Sequence, residues 1–127
     1  MNENEIGTIV VDAAIEIHRE LGPGLLELVY ETVLCKVLQE RGLPTQRQLS
    51  IPIEFRGTRF DEGFRADLLV GNKVILELKS IESVSAVHKK QVQTYLRLTG
   101  CRLGYLLNFG ELLMKNGITR CVNKLPE

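Results

Sequence analysis

Phe64-Arg65-Ala66-Asp67-Leu68-Leu69-Val70-Gly71-Asn72-Lys73-Val74-Ile75-Leu76-Glu77-Leu78-Lys79 is two apolar runs on either side of a turn-forming Gly-Asn pair, the pattern of a β-hairpin. Asp67, Glu77 and Lys79 interrupt those runs. Side chains on a strand alternate faces, so the length of the loop decides whether the three charges meet. A loop of Gly71, Asn72 and Lys73 pairs Val70 with Val74 and Leu68 with Leu76, and sets Asp67 opposite Glu77 with Lys79 on the same face. Ala66, Leu68, Val70, Val74, Leu76 and Leu78 then form the other face, wholly apolar. A two-residue loop would part the carboxylates and lose this segregation, so the odd loop is the expected one.

Two carboxylates on neighbouring strands repel, and an apolar layer beside them raises that cost unless a cation is present. A divalent ion resolves the conflict. Hard oxygen ligands suit Mg2+ or Mn2+, which keeps several waters and takes only one or two protein carboxylates. Lys79 is placed to orient or activate one such water against a phosphate.

The 127 residues suffice for one domain with one core, so residues 1–127 are expected to form a single unit. Sixteen basic residues balance sixteen acidic ones, which excludes the global positive footprint of a strongly basic nucleic-acid binder and leaves only a local patch for such contacts. Cys35, Cys101 and Cys121 are odd in number and widely spaced, which points to reduced, mostly buried thiols rather than a disulfide framework or a zinc site. An acidic start and the lack of any long apolar run give no signal peptide and no membrane span, hence a cytoplasmic expectation.

Apolar positions at Ile6, Val10, Ala13, Ile17 and Leu21 recur at helical spacing from about Asn4 to Glu20, where Gly22-Pro23-Gly24 ends the helix. His18 falls in its last turn, where a cation suits the helix dipole. A second helix is expected from Leu25 to Arg41, with Leu26, Val29, Tyr30, Val33, Leu34, Val37 and Leu38 as its apolar stripe and Glu27 at the edge of it. Gln48 to Arg56 alternates like a half-buried strand, and Pro52 places it at a sheet edge. Phe60 to Val70 follows, loosened near Asp61-Glu62-Gly63. A third helix, from about Val84 to Leu98, aligns Val84, His88, Gln91 and Tyr95 on one face with Val87, Val92 and Leu96 beside them. Arg102 to Phe109 reads as a buried strand and Ile118 to Val122 as a weaker one. Strand, helix and buried strand in succession imply a parallel crossover, and so a mixed sheet between helices.

Asp67 followed by Glu77-Leu78-Lys79 resembles the Asp … Glu-x-Lys pattern of the PD-(D/E)XK nuclease superfamily, with Ala66 where that pattern often has proline. Gln91 and Tyr95 resemble the Gln-x-x-x-Tyr element of its recombination-exonuclease branch, and Glu27 corresponds to that branch's early-helix glutamate. Gly24-Leu25-Leu26-Glu27-Leu28-Val29-Tyr30 is similar to the element that names the GxxExxY proteins. Leu21-Gly22-Pro23-Gly24, Arg65-Ala66-Asp67 and Leu107-Asn108-Phe109-Gly110 add to the likeness, which runs from about Ile6 to Asn123.

The resemblance implies an α/β fold with a restriction-endonuclease-like αβββαβ core, a mixed central sheet flanked by helices. It also implies a Mg2+- or Mn2+-dependent nuclease acting on DNA or RNA. Asp67, Glu77 and the backbone carbonyl of Leu78 would hold the ion, while Lys79 would position or deprotonate a water. Glu27 would act through a bound water or on a second ion. Gln91 and Tyr95 would orient Lys79 or the phosphate, with Arg65, His88 and Lys89 supplying local positive field. A homodimer embracing a duplex is a further expectation. Two other readings stay open: a catalytically silent nuclease-fold module that binds nucleic acid or protein, and a salt-bridge cluster of Asp67, Glu77 and Lys79 without metal.

Overall fold

The computed structural model describes residues 1–126; Glu127, the last residue of the expected 1–127 unit, lies outside the described residues. Helix α1 spans Glu3–Leu21. It starts in a reciprocal cap in which Glu5 N donates to Asn2 Oδ1 at 2.8 Å and Asn2 N donates to Glu5 Oε1 at 2.9 Å. It stops at Gly22, whose φ of 73° only glycine adopts freely. Helix α2 is Glu27–Glu40, followed by strands β1 (Thr45–Phe55), β2 (Thr58–Val70) and β3 (Val74–Lys79), helix α3 (Ala86–Thr99), strand β4 (Leu103–Asn108), a 3₁₀ turn at Met114–Gly117 and strand β5 (Ile118–Val122).

The five strands lie in the order β1-β2-β3-β4-β5. All neighbours are antiparallel except β3 and β4, the parallel pair that α3 connects. This is the mixed sheet expected, with the restriction-endonuclease-like element order. Helices α1 and α2 cover one face, packing Val10, Ala14, Tyr30 and Leu34 on Leu68, Val70, Leu76 and Leu107. Helix α3 covers the other, with Val92 and Leu96 on Ala66, Ile75 and Leu106. Strands β3 and β4 are therefore enclosed on both sides, which is why they read as continuous apolar runs. Each fully buried leucine there contributes about 2–3 kcal/mol of transfer free energy.

The hairpin register is the expected one: Val70 pairs with Val74, Leu69 with Ile75 and Leu68 with Leu76. Gly71 and Asn72 both have φ of 58°, the left-handed backbone that these two residue types tolerate best. Strand β1 lies at one edge of the sheet, as Pro52 suggested, with a register shift between Ile51 and Ile53. All three cysteines are free, Cys35 and Cys121 being buried.

Several expectations are corrected. Ala66 does not share the α1/α2 face with Leu68; it packs towards α3, because β2 turns over at Asp67. On α2 the buried strip is Tyr30, Glu31, Leu34, Cys35 and Leu38, while Leu26 and Val29 are exposed. The apolar residues of this helix wrap more than half its circumference, so spacing alone does not say which strip meets the sheet. Val87 is likewise exposed rather than packed beside Val92. His18 is buried, and its Nε2 lies 2.7 Å from the carbonyl of Glu111, joining α1 to the segment after β4 instead of serving only the helix dipole.

Candidate active site

Beyond Leu68 and Leu76 the β2–β3 ladder stops, and side chains take over its hydrogen bonds. Leu78 N donates to Asp67 Oδ2 at 2.9 Å, and Asp67 N donates to Glu77 Oε1 at 3.2 Å. Each carboxylate thus stands in for a missing backbone acceptor with one oxygen and presents the other. Among the described residues Glu77 Oε2 has no partner, and Asp67 Oδ1 has only Gln48 Nε2 at 3.5 Å. The carbonyl of a strand residue leaves the same edge as its amide, so that of Leu78 is directed towards the Asp67 side.

Glu77 is only 9 % exposed. Burial first, then the neighbouring Asp67 carboxyl, push its pKa up to about 8, against the opposing pull of Asp67 N–H and Lys79. Asp67 is raised as well, mainly by burial, with the Leu78 N–H holding it down. Tyr95 is raised by burial and by both carboxylates, which places its ring close to them. Lys79 follows Glu77 on β3 and makes no ion pair or side-chain hydrogen bond among the described residues. The salt-bridge cluster left open by the sequence is therefore not formed.

Two carboxyls raised by burial, with no cation partner among the described residues, are a donor set that fits a hard divalent ion. Among the described residues no three His, Cys, Asp or Glu side chains gather closely enough to hold an ion by themselves. Glu27 is thus not assembled as a third direct ligand. It opens α2, is exposed, and reaches Asp67 and Glu77 through its charge.

The loops around the site are tied to one another. Tyr30, fully buried and stacked on Phe109 at 4.4 Å, donates its hydroxyl to Gly22 O and accepts from Leu25 N at 3.1 Å, which fixes the loop leading to Glu27. Ser80 Oγ donates to Leu25 O, joining that loop to the residue after Lys79. Phe109 N donates to Lys79 O at 2.8 Å. The fully buried Asn108 accepts from Ile81 N at 3.1 Å and Gly110 N at 3.0 Å and donates to Ile81 O at 3.0 Å. Any Cβ at Gly110 would lie 2.1 Å from Ile81 O, so this close approach requires glycine.

On α3, Tyr95 stacks on Phe64 of β2 with ring centroids 3.8 Å apart, and Gln91 is exposed one turn earlier. Neither side chain hydrogen-bonds Lys79. His88 Nδ1 accepts from Ser85 N at 3.1 Å, which caps helix α3. Lys89 lines a cleft between α3 and β5 beside Cys121. Arg65 is exposed, opposite Ser50 on the edge strand.

One group was missed in the sequence. Glu31, a turn after Glu27, is 4 % exposed and accepts from Arg47 Nε and Nη2 at 3.1 and 2.9 Å and from Gln48 Nε2. The only hint was its position four residues after Glu27, one helical turn along the same side of α2.

A family model described as the PD-(D/E)XK nuclease superfamily matches residues 4–121. Neither the curated proteins nor the solved structures yield a match.

Proposed function

We infer a metal-dependent phosphodiesterase from the premise that this chain belongs to the PD-(D/E)XK nuclease superfamily. The reaction is hydrolysis of phosphodiester bonds in DNA or RNA with Mg2+ or Mn2+. The observation that carries it is the broken ladder at Asp67 and Glu77, where each carboxylate gives one oxygen to the opposite strand and leaves the other for a ligand, next in sequence to a lysine without an ion pair among the described residues. The likeness of Gly24, Glu27 and Tyr30 to the GxxExxY element supports the same reading.

Asp67, Glu77 and the carbonyl of Leu78 would hold the ion. When bound, a divalent ion acidifies a coordinated water and polarises the phosphoryl oxygen it touches. Ionised Glu77 and Asp67 supply the negative charge that retains the ion. Lys79 Nζ, without a partner among the described residues, would orient the attacking water. Glu27 acts through a water at the mouth of the site. Tyr95, held flat by Phe64, and Gln91 border the phosphate.

The zero net charge favours a second reading, a nuclease-fold binding module that leaves substrate capture to a partner. Calorimetric titration with Mn2+, followed by cleavage assays on single- and double-stranded DNA and RNA with wild type and Lys79→Ala, separates the two. Binding with Lys79-dependent cleavage is expected. Absence of binding at millimolar Mn2+ removes the hydrolytic reading, and binding without cleavage selects the module.

A further inference from the structure

We propose that Gln48 is a positioning residue that aims the Asp67 carboxylate, so that the edge strand β1 contributes to a site otherwise built from β2 and β3. This rests on the metal-dependent reading above.

Gln48 has φ of 50° inside a continuous 11-residue strand. That left-handed backbone is unfavourable for a straight-chain residue and comfortable for glycine or asparagine. It is also where β1 misses its partner: Arg47 faces Leu68 and Leu49 faces Ala66, with no pairing between Gln48 and Asp67. Across from it β2 turns over, Ala66 packing towards α3 and Leu68 towards α1 and α2. Residues two apart on a regular strand share a face, so both strands are kinked at one level, and on β2 the kink falls on Asp67.

The Gln48 amide spans the gap so made. Its Nε2 donates to Glu31 Oε1 and stands 3.5 Å from Asp67 Oδ1, the oxygen that Leu78 does not hold. Glu31 is anchored in turn by two bonds from Arg47. Asp67 is thereby gripped from both sides, by a backbone amide on β3 and by a side-chain amide tied to α2. Strained backbone persists where its surroundings over-determine it, and the partners that orient a metal's ligands typically matter about 10- to 100-fold in metal affinity.

Gln48→Gly and Gln48→Asn both relieve the backbone while removing or shortening the amide. Urea unfolding and calorimetric Mn2+ titration of each should show a midpoint equal to or above wild type together with Mn2+ affinity reduced about 10- to 100-fold. Wild-type affinity in both variants, or affinity lost only in step with stability, overturns the proposal. If the wild type itself binds no Mn2+, the metal-dependent reading falls, and the Gln48–Asp67 link is read in the metal-free protein from a double-mutant cycle of Gln48→Gly with Asp67→Asn. Non-additive unfolding free energies uphold the link, and additive ones overturn it.

Discussion

Replacing Glu77 by glutamine should make the metal-free protein more stable at neutral and alkaline pH. The carboxyl is buried beside Asp67 and its pKa stands at about 8 in the fold against 4.5 in the unfolded chain. A group whose folded pKa is raised favours the fold below its unfolded pKa, and that contribution is lost as pH rises through the folded value. Between those limits the folded protein keeps a proton that the unfolded chain has released. Wild-type unfolding free energy should therefore fall by about 1.4 kcal/mol per pH unit from about pH 5.5 to 7.5. The total approaches roughly 4–5 kcal/mol above pH 8. Asp67, raised in the same direction, steepens the fall at its acid end. Glutamine keeps an oxygen to accept from Asp67 N, the bond that Glu77 makes at 3.2 Å, but carries no proton to lose. Urea unfolding with chelator present, at half-unit steps from pH 5 to 9, gives the two curves. The wild type should slope downward, and Glu77→Gln should be flatter and cross above it. Parallel curves, or a wild type that gains stability over this range, would refute the reasoning.

The same protonation makes ion binding pH-dependent: Mn2+ affinity should rise up to about tenfold per pH unit below pH 8, read by calorimetry at pH 6, 7 and 8. Lys79→Ala should lower cleavage by about 10²- to 10⁴-fold while shifting urea stability by less than about 1 kcal/mol, since Lys79 has no bonded partner among the described residues to strand. Tyr30→Phe removes the hydroxyl shared by Gly22 O and Leu25 N and should cost about 1–3 kcal/mol in unfolding, with a smaller fall in cleavage through the displaced Glu27 loop. Asn108→Ala leaves Ile81 N and O and Gly110 N without that partner and should cost roughly 3 kcal/mol by the same measurement.

The hairpin was legible because strand alternation is a parity rule. Only an odd loop after Val70 separates charged from apolar residues, and the pairing of Leu68 with Leu76 follows from it. The fourth strand was legible through composition, since a strand enclosed on both faces shows a continuous apolar run, whereas the fifth, at the sheet edge with Thr119 and Arg120 in it, gave only a weak signal. Helix faces were harder. Leu26 and Val29 are as apolar as Leu34 yet stand exposed, and the carboxylate of Glu31 is buried where periodicity alone expects solvent. Gln48 was illegible for a different reason: its left-handed backbone arises from contacts with Glu31 and Asp67, distant in sequence, and no local residue preference announces it. The interior role of His18 depends likewise on Glu111, a partner far along the chain.

A crystal soaked in Mn2+ at pH 8 and measured at the manganese absorption edge would show whether Asp67 and Glu77 share an ion. One anomalous peak is expected about 2–2.5 Å from an oxygen of Asp67, an oxygen of Glu77 and the carbonyl of Leu78, with waters completing the shell towards Lys79 and Glu27. A clean map at that place, or manganese held only by other residues, would contradict it.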